Sequence, residues 1–365
     1  MANQQANTTQ FTTASSVDQL QKIGAGHCGS VWAVAPTTQP CNSSTTPALV
    51  IKREDCGEGR SITHEYDMHL HIIKSLQTPR VPEVFRKLRV NIPRCEGFLS
   101  NDASVWPQVL PRLPKNHTSC NALISEKIPP MPRHIRKLLA TTLGFGTDPD
   151  AVADDASNSH CLVRPYMGRR KNNHDTYQNR PTSFRFYSLR NLPLSVDIME
   201  GLGLDLDSYA LAMADALAFL YWTAKVDAND VEFALAQHRE SAFETNQPVA
   251  PSLGITSFYS EAFGSHSMWI LDFDCCREMT MDEAGIRQAC RSFWRNDPYY
   301  PRPSRPGSNG DPEDQRLWGV FQDRFLETSD RLLQDEEDSV RQLPRQLVNL
   351  ILQTKGMFNK GTEFW

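Results

Sequence analysis

The sequence predicts an α+β chain in two lobes, a small β-rich first lobe followed by a larger, mainly helical second one. Three observations carry that prediction. Its 365 residues are enough for two cores or for one divided core. Near the start, apolar and β-branched residues flank three glycines and lead into a compact strand and then an amphipathic helix. Farther on, the alanine-rich run 205–222 repeats its large apolar residues at the spacing of a buried helix.

Taken in order, residues 1–18 are polar and read as a disordered tail, 19–126 as the first lobe, and 127–365 as the second lobe with a basic insertion around 144–190. Residues 20–34 read as strand, turn, strand, with Gly24, Gly26 and Gly29 spaced GxGxxG. A strand and not a helix follows, so a dinucleotide-binding turn fails its own context. The stretch 48–55 is a strand carrying Lys52, and 61–76 a helix carrying Glu65, with Ile62, Tyr66, His69, Ile73 and Leu76 on one face. An apolar strand ends at Glu126 with a proline-rich exit, and 133–143 reads as a helix. Residues 144–190 look irregular. Their aromatics Tyr166, Tyr177, Phe184, Phe186 and Tyr187 alternate with arginines, which suits nucleic-acid stacking and equally an edge strand. The 205–222 helix is expected to start at an Asp207 or Ser208 cap. A strand over 268–271, a helix from Ala284, a proline-rich loop, a helix near Glu313 and a last amphipathic segment over 343–352 complete the chain.

Composition narrows the function classes. Nine cysteines, an odd number with no CxxC, argue against a disulfide framework and against a zinc site of the usual spacing. The polar start lacks a signal-peptide pattern and no run approaches eighteen apolar residues, so a soluble, cytoplasmic protein without membrane contact is expected. The net charge of -5 conceals a segregation: segments 80–94, 112–137 and 161–190 hold eighteen Lys and Arg against three Asp and Glu. A polyanion could bind them if they share a face; otherwise they are solvated loop charges.

The acids concentrate in two places. Asp227, Asp230 and Glu232 fall within 224–235, and Asp272 and Asp274 flank Phe273 directly after the 268–271 strand. Carboxylates gathered this way are costly unless a cation meets them. The plainer alternative is solvated loop acids and helix caps.

The order glycine hairpin, strand lysine, helix glutamate resembles the protein kinase and aminoglycoside phosphotransferase superfamily over roughly residues 20–280, and implies a protein-kinase-like two-lobed fold. By that resemblance Gly24, Gly26 and Gly29 cover phosphates, Lys52 contacts them and Glu65 holds Lys52. Asp227 becomes the catalytic-loop aspartate and Asp272 the metal aspartate. Three positions depart from the pattern: Lys225 replaces the catalytic-loop histidine, Glu232 the metal-binding asparagine, and Asp274 the glycine after the metal motif.

A second resemblance covers nearly the whole chain. IGAGHCGSVWAV, CNALISEKIPP, CLVRPYMGRR, DANDVEFAL, WILDFDCCRE and FWRNDPYYPRP look like a fungal family carried as a domain of unknown function and sometimes labelled zinc-finger protein, identified with the arginine-containing cyclodipeptide synthases. That implies an enzyme joining arginine to a second amino acid and closing a diketopiperazine, with arginyl-tRNA and a second aminoacyl-tRNA as substrates. No cofactor, metal or DNA is then expected. Asp227, Asp230, Glu232, Asp272 and Asp274 supply catalytic or arginine-binding carboxylates, and Arg164, Arg169, Arg170 and Lys171 hold tRNA. Cys28 and Ser30 have the chemistry of acyl acceptors, with a structural role the stronger reading. The competing classes are a Mg-ATP phosphotransferase and a pseudokinase binding module.

Overall fold

The computed structural model describes residues 8–12, 19–34, 48–55, 60–77, 89–145, 148–170, 188–239, 257–304 and 311–354. The chain is mixed α/β, with two five-stranded sheets, a small β-rich N-terminal part and a mainly helical C-terminal part. It divides into two compact units: Met1–His71, Ile92–Ile128 and Arg239–Pro251 form the first, and Ile72–Asn91, Pro129–His238 and Ser252–Trp365 the second. No helix among the described residues is long and apolar enough to cross a membrane.

The first unit is an antiparallel sheet of β1 (Leu20–Ala25), β2 (Ser30–Val34), β3 (Leu49–Arg53), β4 (Cys95–Leu99) and β5 (Ala122–Glu126), in the order β1-β2-β3-β5-β4. The β1–β2 turn is closed by Gly26 N donating to Gly29 O at 2.9 Å. Its glycines differ in necessity. A Cβ on Gly29 would stand 1.6 Å from the Arg53 carbonyl oxygen, whereas one on Gly26 would meet nothing within 4 Å. Gly29 is therefore required by the close passage of β3.

One face of this sheet buries Leu20, Trp32, Leu49, Ile51, Leu99 and Ile124, and Phe11 completes the cluster. The expected disordered tail is thus corrected over residues 8–12, where the turn Thr9–Thr12 is helical and Phe11 is fully buried. Arg112 Nη1 donates to Gln10 O, and Leu49 N to Gln10 Oε1, both at 3.0 Å.

The helix Ile62–Leu76 buries Ile62, Glu65, Met68, His69, Ile72 and Leu76, a stripe spaced by three and four. His69 Nε2 lies 2.7 Å from Pro93 O, which fixes the neutral tautomer that donates from Nε2. Burial, aided by the Lys52 charge and opposed by the Pro93 carbonyl, brings its pKa down to about 4.

The second unit is built on β6 (Val163–Tyr166), β7 (Leu192–Ser195), β8 (Glu232–Ala236), β9 (Phe258–Ser260) and β10 (Gly264–Leu271), in the order β7-β6-β8-β10-β9. Only β6 and β7 run parallel. The segment expected to be irregular therefore contributes a central strand, interrupted by Pro165. Its missing N–H is tolerated because the ladder to β8 is recorded only at Val163–Leu235. The helix Leu206–Ala218 is buried along most of its length and capped by Asp205, which accepts from Ser208 N, and not by Asp207 or Ser208. It runs on as a wider five-residue turn, Phe219–Thr223. The helix Pro312–Leu332 holds it: Arg324 reaches both Asp215 oxygens at 2.7 and 3.0 Å, and Trp222 Nε1 donates to Ser329 Oγ at 2.7 Å.

Two outcomes follow for the first unit. Gly29→Ala should destabilise it by about 2 kcal/mol or more, since backbone and not a flexible side chain must yield, while Gly26→Ala should change it by less than about 0.5 kcal/mol; denaturant midpoints compare the two. With His69 depressed to about 4, the unfolded chain takes up a proton as pH falls through about 6.5 and the folded chain does not. Stability is then lost between those values and levels off below them. His69→Gln should flatten that part of the pH profile by up to about one proton, measured by urea titrations at successive pH values.

Candidate functional site

In the first unit the strand lysine and the helix glutamate meet. Lys52 Nζ is 2.8 Å from Glu65 Oε1 and 2.7 Å from Oε2, with the two side chains 14% and 6% exposed. The glycine turn carries no nucleophile on the geometry seen. Cys28 is buried against Ile62 and Leu123. Ser30 Oγ donates to Asp55 Oδ2 at 2.5 Å and accepts from Trp32 Nε1 at 2.6 Å, while Ser30 N donates to Asp55 Oδ1. Burial would raise the Asp55 pKa, but the Ser30 and Arg53 hydrogen bonds outweigh it and hold the carboxyl below its ordinary value. Ser30 is a strut for the turn.

In the second unit the sequence-predicted acids come together, each held differently. Asp227 is 3% exposed and accepts three hydrogen bonds: at Oδ1 from Asn229 N (3.1 Å) and Arg277 N (3.0 Å), and at Oδ2 from Gln288 Nε2 (2.8 Å). It braces the loop against 273–278. Glu232 is the first residue of β8, opposite Leu271, and its Oε2 lies 2.5 Å from Arg164 Nη2. Burial would weaken the Arg164 cation, yet Glu232 together with Tyr299, Asp272 and Tyr166 outweighs it and raises its pKa. Asp230 is half-buried and Asp274 is 6% exposed, and one ligand oxygen of each, with Cys275 Sγ, lies within 4.8 Å of the others. Asp272 is half-buried at the end of β10.

The backbone here is under unusual constraint. Lys225, Ala228, Asp230 and Asp272 have φ of 54, 52, 62 and 67°, four of the six non-glycine residues in the left-handed region among those described. Each costs on the order of 1–2 kcal/mol, a concentration typical of functional loops. The sequence reading missed the residues that impose it. Asn296 Oδ1 accepts from Asp230 N at 2.7 Å and its Nδ2 donates to Ala228 O at 2.8 Å; Gln288 holds Asp227. Neither stands near the loop in sequence, so no local signal pointed to them.

The proposed tRNA contacts divide. Arg164 is corrected: it is 4% exposed and its charge is engaged by Glu232, out of reach of a phosphate. Arg170 is likewise corrected, being taken up by Glu200, Asp311 and Asp314. Arg169 is exposed, and Lys171 with Tyr177, Phe184, Phe186 and Tyr187 falls outside the described residues. Arg133 and Lys137 from the basic segments are paired with Asp150 and Asp154. Among the described residues, then, much of the segregated basic charge is neutralised within the fold.

The family DUF3669, described as zinc finger protein, matches residues 268–337. No curated protein matches the chain. The identification with arginine-containing cyclodipeptide synthases is corrected on this ground: the similarity found carries the zinc-finger description and covers the end of β10, Asp272, Asp274 and the helices Glu283–Arg295 and Pro312–Leu332. The residues present do not fit a zinc finger. Residues 268–337 contain no histidine and three cysteines. Burial, then the charges of Asp227, Asp272 and Asp274, push the Cys276 thiol well up, and its Sγ lies 3.7 Å from Asn229 O. Burial pushes Cys290 up to about 11 beside Thr354 Oγ1. Three cysteines without a histidine fall short of the four-ligand Cys/His set of a structural zinc site within the matched segment. The chain is similar over residues 268–337, less than half its length, to a family described as zinc finger protein.

Proposed function

We propose that the chain is a transferase that joins arginine to a second amino acid, taking both as aminoacyl-tRNA esters and closing them into a diketopiperazine, on a protein-kinase-like two-lobed scaffold. The Lys52–Glu65 pair on strand and helix supports the scaffold. One observation carries the choice of chemistry. Asp227, which a phosphotransferase would need facing its hydroxyl substrate, is buried and accepts three hydrogen bonds from Asn229, Arg277 and Gln288, whereas a carboxylate oxygen of Asp230 and one of Asp274 lie within 4.8 Å of each other. Two neighbouring carboxylates suit a guanidinium, where each charged hydrogen bond contributes about 1.5–3 kcal/mol.

The ester is already activated, so positioning and proton transfer suffice. The α-amine of one aminoacyl group attacks the ester carbonyl of the other, forming the amide C–N bond and releasing the tRNA 3′-terminal hydroxyl, which takes the amine proton. The same exchange in the opposite sense closes the ring and releases the second tRNA. In this reading Asp230 and Asp274 hold the guanidinium, and Asp272 carries the proton. The competing reading, Mg-ATP phosphotransfer, is favoured by the Lys52–Glu65 pair alone.

Purified protein given arginyl-tRNA and a second aminoacyl-tRNA should form an arginine-containing diketopiperazine, and ribonuclease should stop it. Asp230→Asn and Asp274→Asn should each lower the rate by about 10²-fold or more with melting temperatures little changed, since each removes a charged contact. If the wild-type protein makes no such product with any amino acid, the reading is wrong. A melting temperature that rises with Mg-ATP would favour the phosphotransferase.

A further inference from the structure

We infer that Asn296 is the positioning residue of this site, setting where the Asp230 carboxylate points without touching substrate itself. The inference rests on the assignment of Asp230 to substrate binding and adds the group that fixes its geometry. Asn296 follows the helix Glu283–Arg295, is 5% exposed, and presents both ends of its amide to one loop: Oδ1 accepts from Asp230 N at 2.7 Å and Nδ2 donates to Ala228 O at 2.8 Å. These two contacts straddle residues 228–230, at whose ends Ala228 and Asp230 sit at φ 52 and 62°. An alanine has no side-chain hydrogen bond to favour the left-handed region, so the conformation must be imposed from outside. Asn296 does this with an amide, whose donor and acceptor both find a backbone partner; a carboxylate could not donate and would add charge among Asp227, Asp230 and Asp274.

Asn296 is itself held. Arg302 Nη2 donates to Asn296 O at 2.8 Å, and the guanidinium lies 5.5 Å from the Trp294 ring centroid. The hydrogen bond from Asn296 N to Ser292 O anchors its backbone to the last turn of the helix. The chain of contacts therefore runs from a rigid helix end through one side chain to the strained loop. A displacement of the clamp would let Ala228 and Asp230 relax to ordinary backbone, turning the Asp230 side chain out of its place beside Asp274 and Cys275.

Three variants test this: Asn296→Ala, Ala228→Gly, and both together. Glycine adopts the left-handed region at little cost, so Ala228→Gly relieves the strain that the clamp opposes without removing any side chain of the site. Amide exchange over 228–231 should speed up roughly tenfold in Asn296→Ala, and KM for arginyl-tRNA should rise by about tenfold or more, the scale of one or two lost hydrogen bonds. The double variant should recover a clear part of both. A loop whose exchange is unchanged in Asn296→Ala, or an activity loss that tracks melting temperature and is not recovered by Ala228→Gly, would overturn the inference. Should the wild-type protein form no diketopiperazine, the functional reading fails, and the exchange measurements with their recovery by Ala228→Gly still decide whether Asn296 sets the loop.

Discussion

Gathering carboxylates is the constraint on which the second unit depends. At an effective dielectric near 20, two like charges 5 Å apart repel by about 3 kcal/mol, so Asp227, Asp230, Glu232, Asp272 and Asp274 cannot share a region without separate provision for each. The fold makes that provision with unlike devices. Asp227 receives two backbone N–H groups and the Gln288 amide, Glu232 receives the buried Arg164, and Asp230 is governed through its backbone by Asn296. The helix Glu283–Arg295 and the residue after it also reach back to a loop some sixty residues earlier, through contacts separated by 61 and 66 residues.

The same region holds Cys276. Burial first, then the charges of Asp227, Asp272 and Asp274, push its thiol well above the ordinary range, and its Sγ lies 3.7 Å from Asn229 O as a weak donor. The segment similar to a family described as zinc finger protein also braces the acidic loop, through Arg277 N on Asp227 and Asn296 Nδ2 on Ala228 O.

Local pattern revealed much of the fold. The glycine hairpin, the Lys52 strand, the Glu65 helix and the 205–222 helix could each be read because periodicity and turn chemistry act over a few residues. The parallel pair β6–β7 could not, since Pro165 and Pro193 suppress a strand signal and the pairing is decided by partners far away. For the site, the identity of the acids was legible and their division of labour was not. Whether Asp227 is exposed or saturated depends on Gln288 and Arg277, and whether Arg164 reaches solvent depends on β8; burial and long-range partners leave no mark on spacing. Phe11 was missed for the opposite reason, a lone aromatic having no periodicity to read.

One contact in the first unit bears on how this chain could be taken apart. Glu126 is 4% exposed at the end of β5, and its Oε1 is held by Arg239 Nε at 2.7 Å from 113 residues downstream, while Arg239 Nη2 reaches Ile92 O at 2.8 Å. A fragment ending at Ile128 would contain the whole β1–β5 sheet and yet leave that carboxylate buried without its closest cation. Arg94 would stay with the fragment, its N donating to Glu126 Oε2 at 3.0 Å and its Nε lying 3.5 Å from the same oxygen, so the carboxylate would be weakened in its pairing without being orphaned. A graft that carries residue 239 along with the β1–β5 sheet would restore both cations.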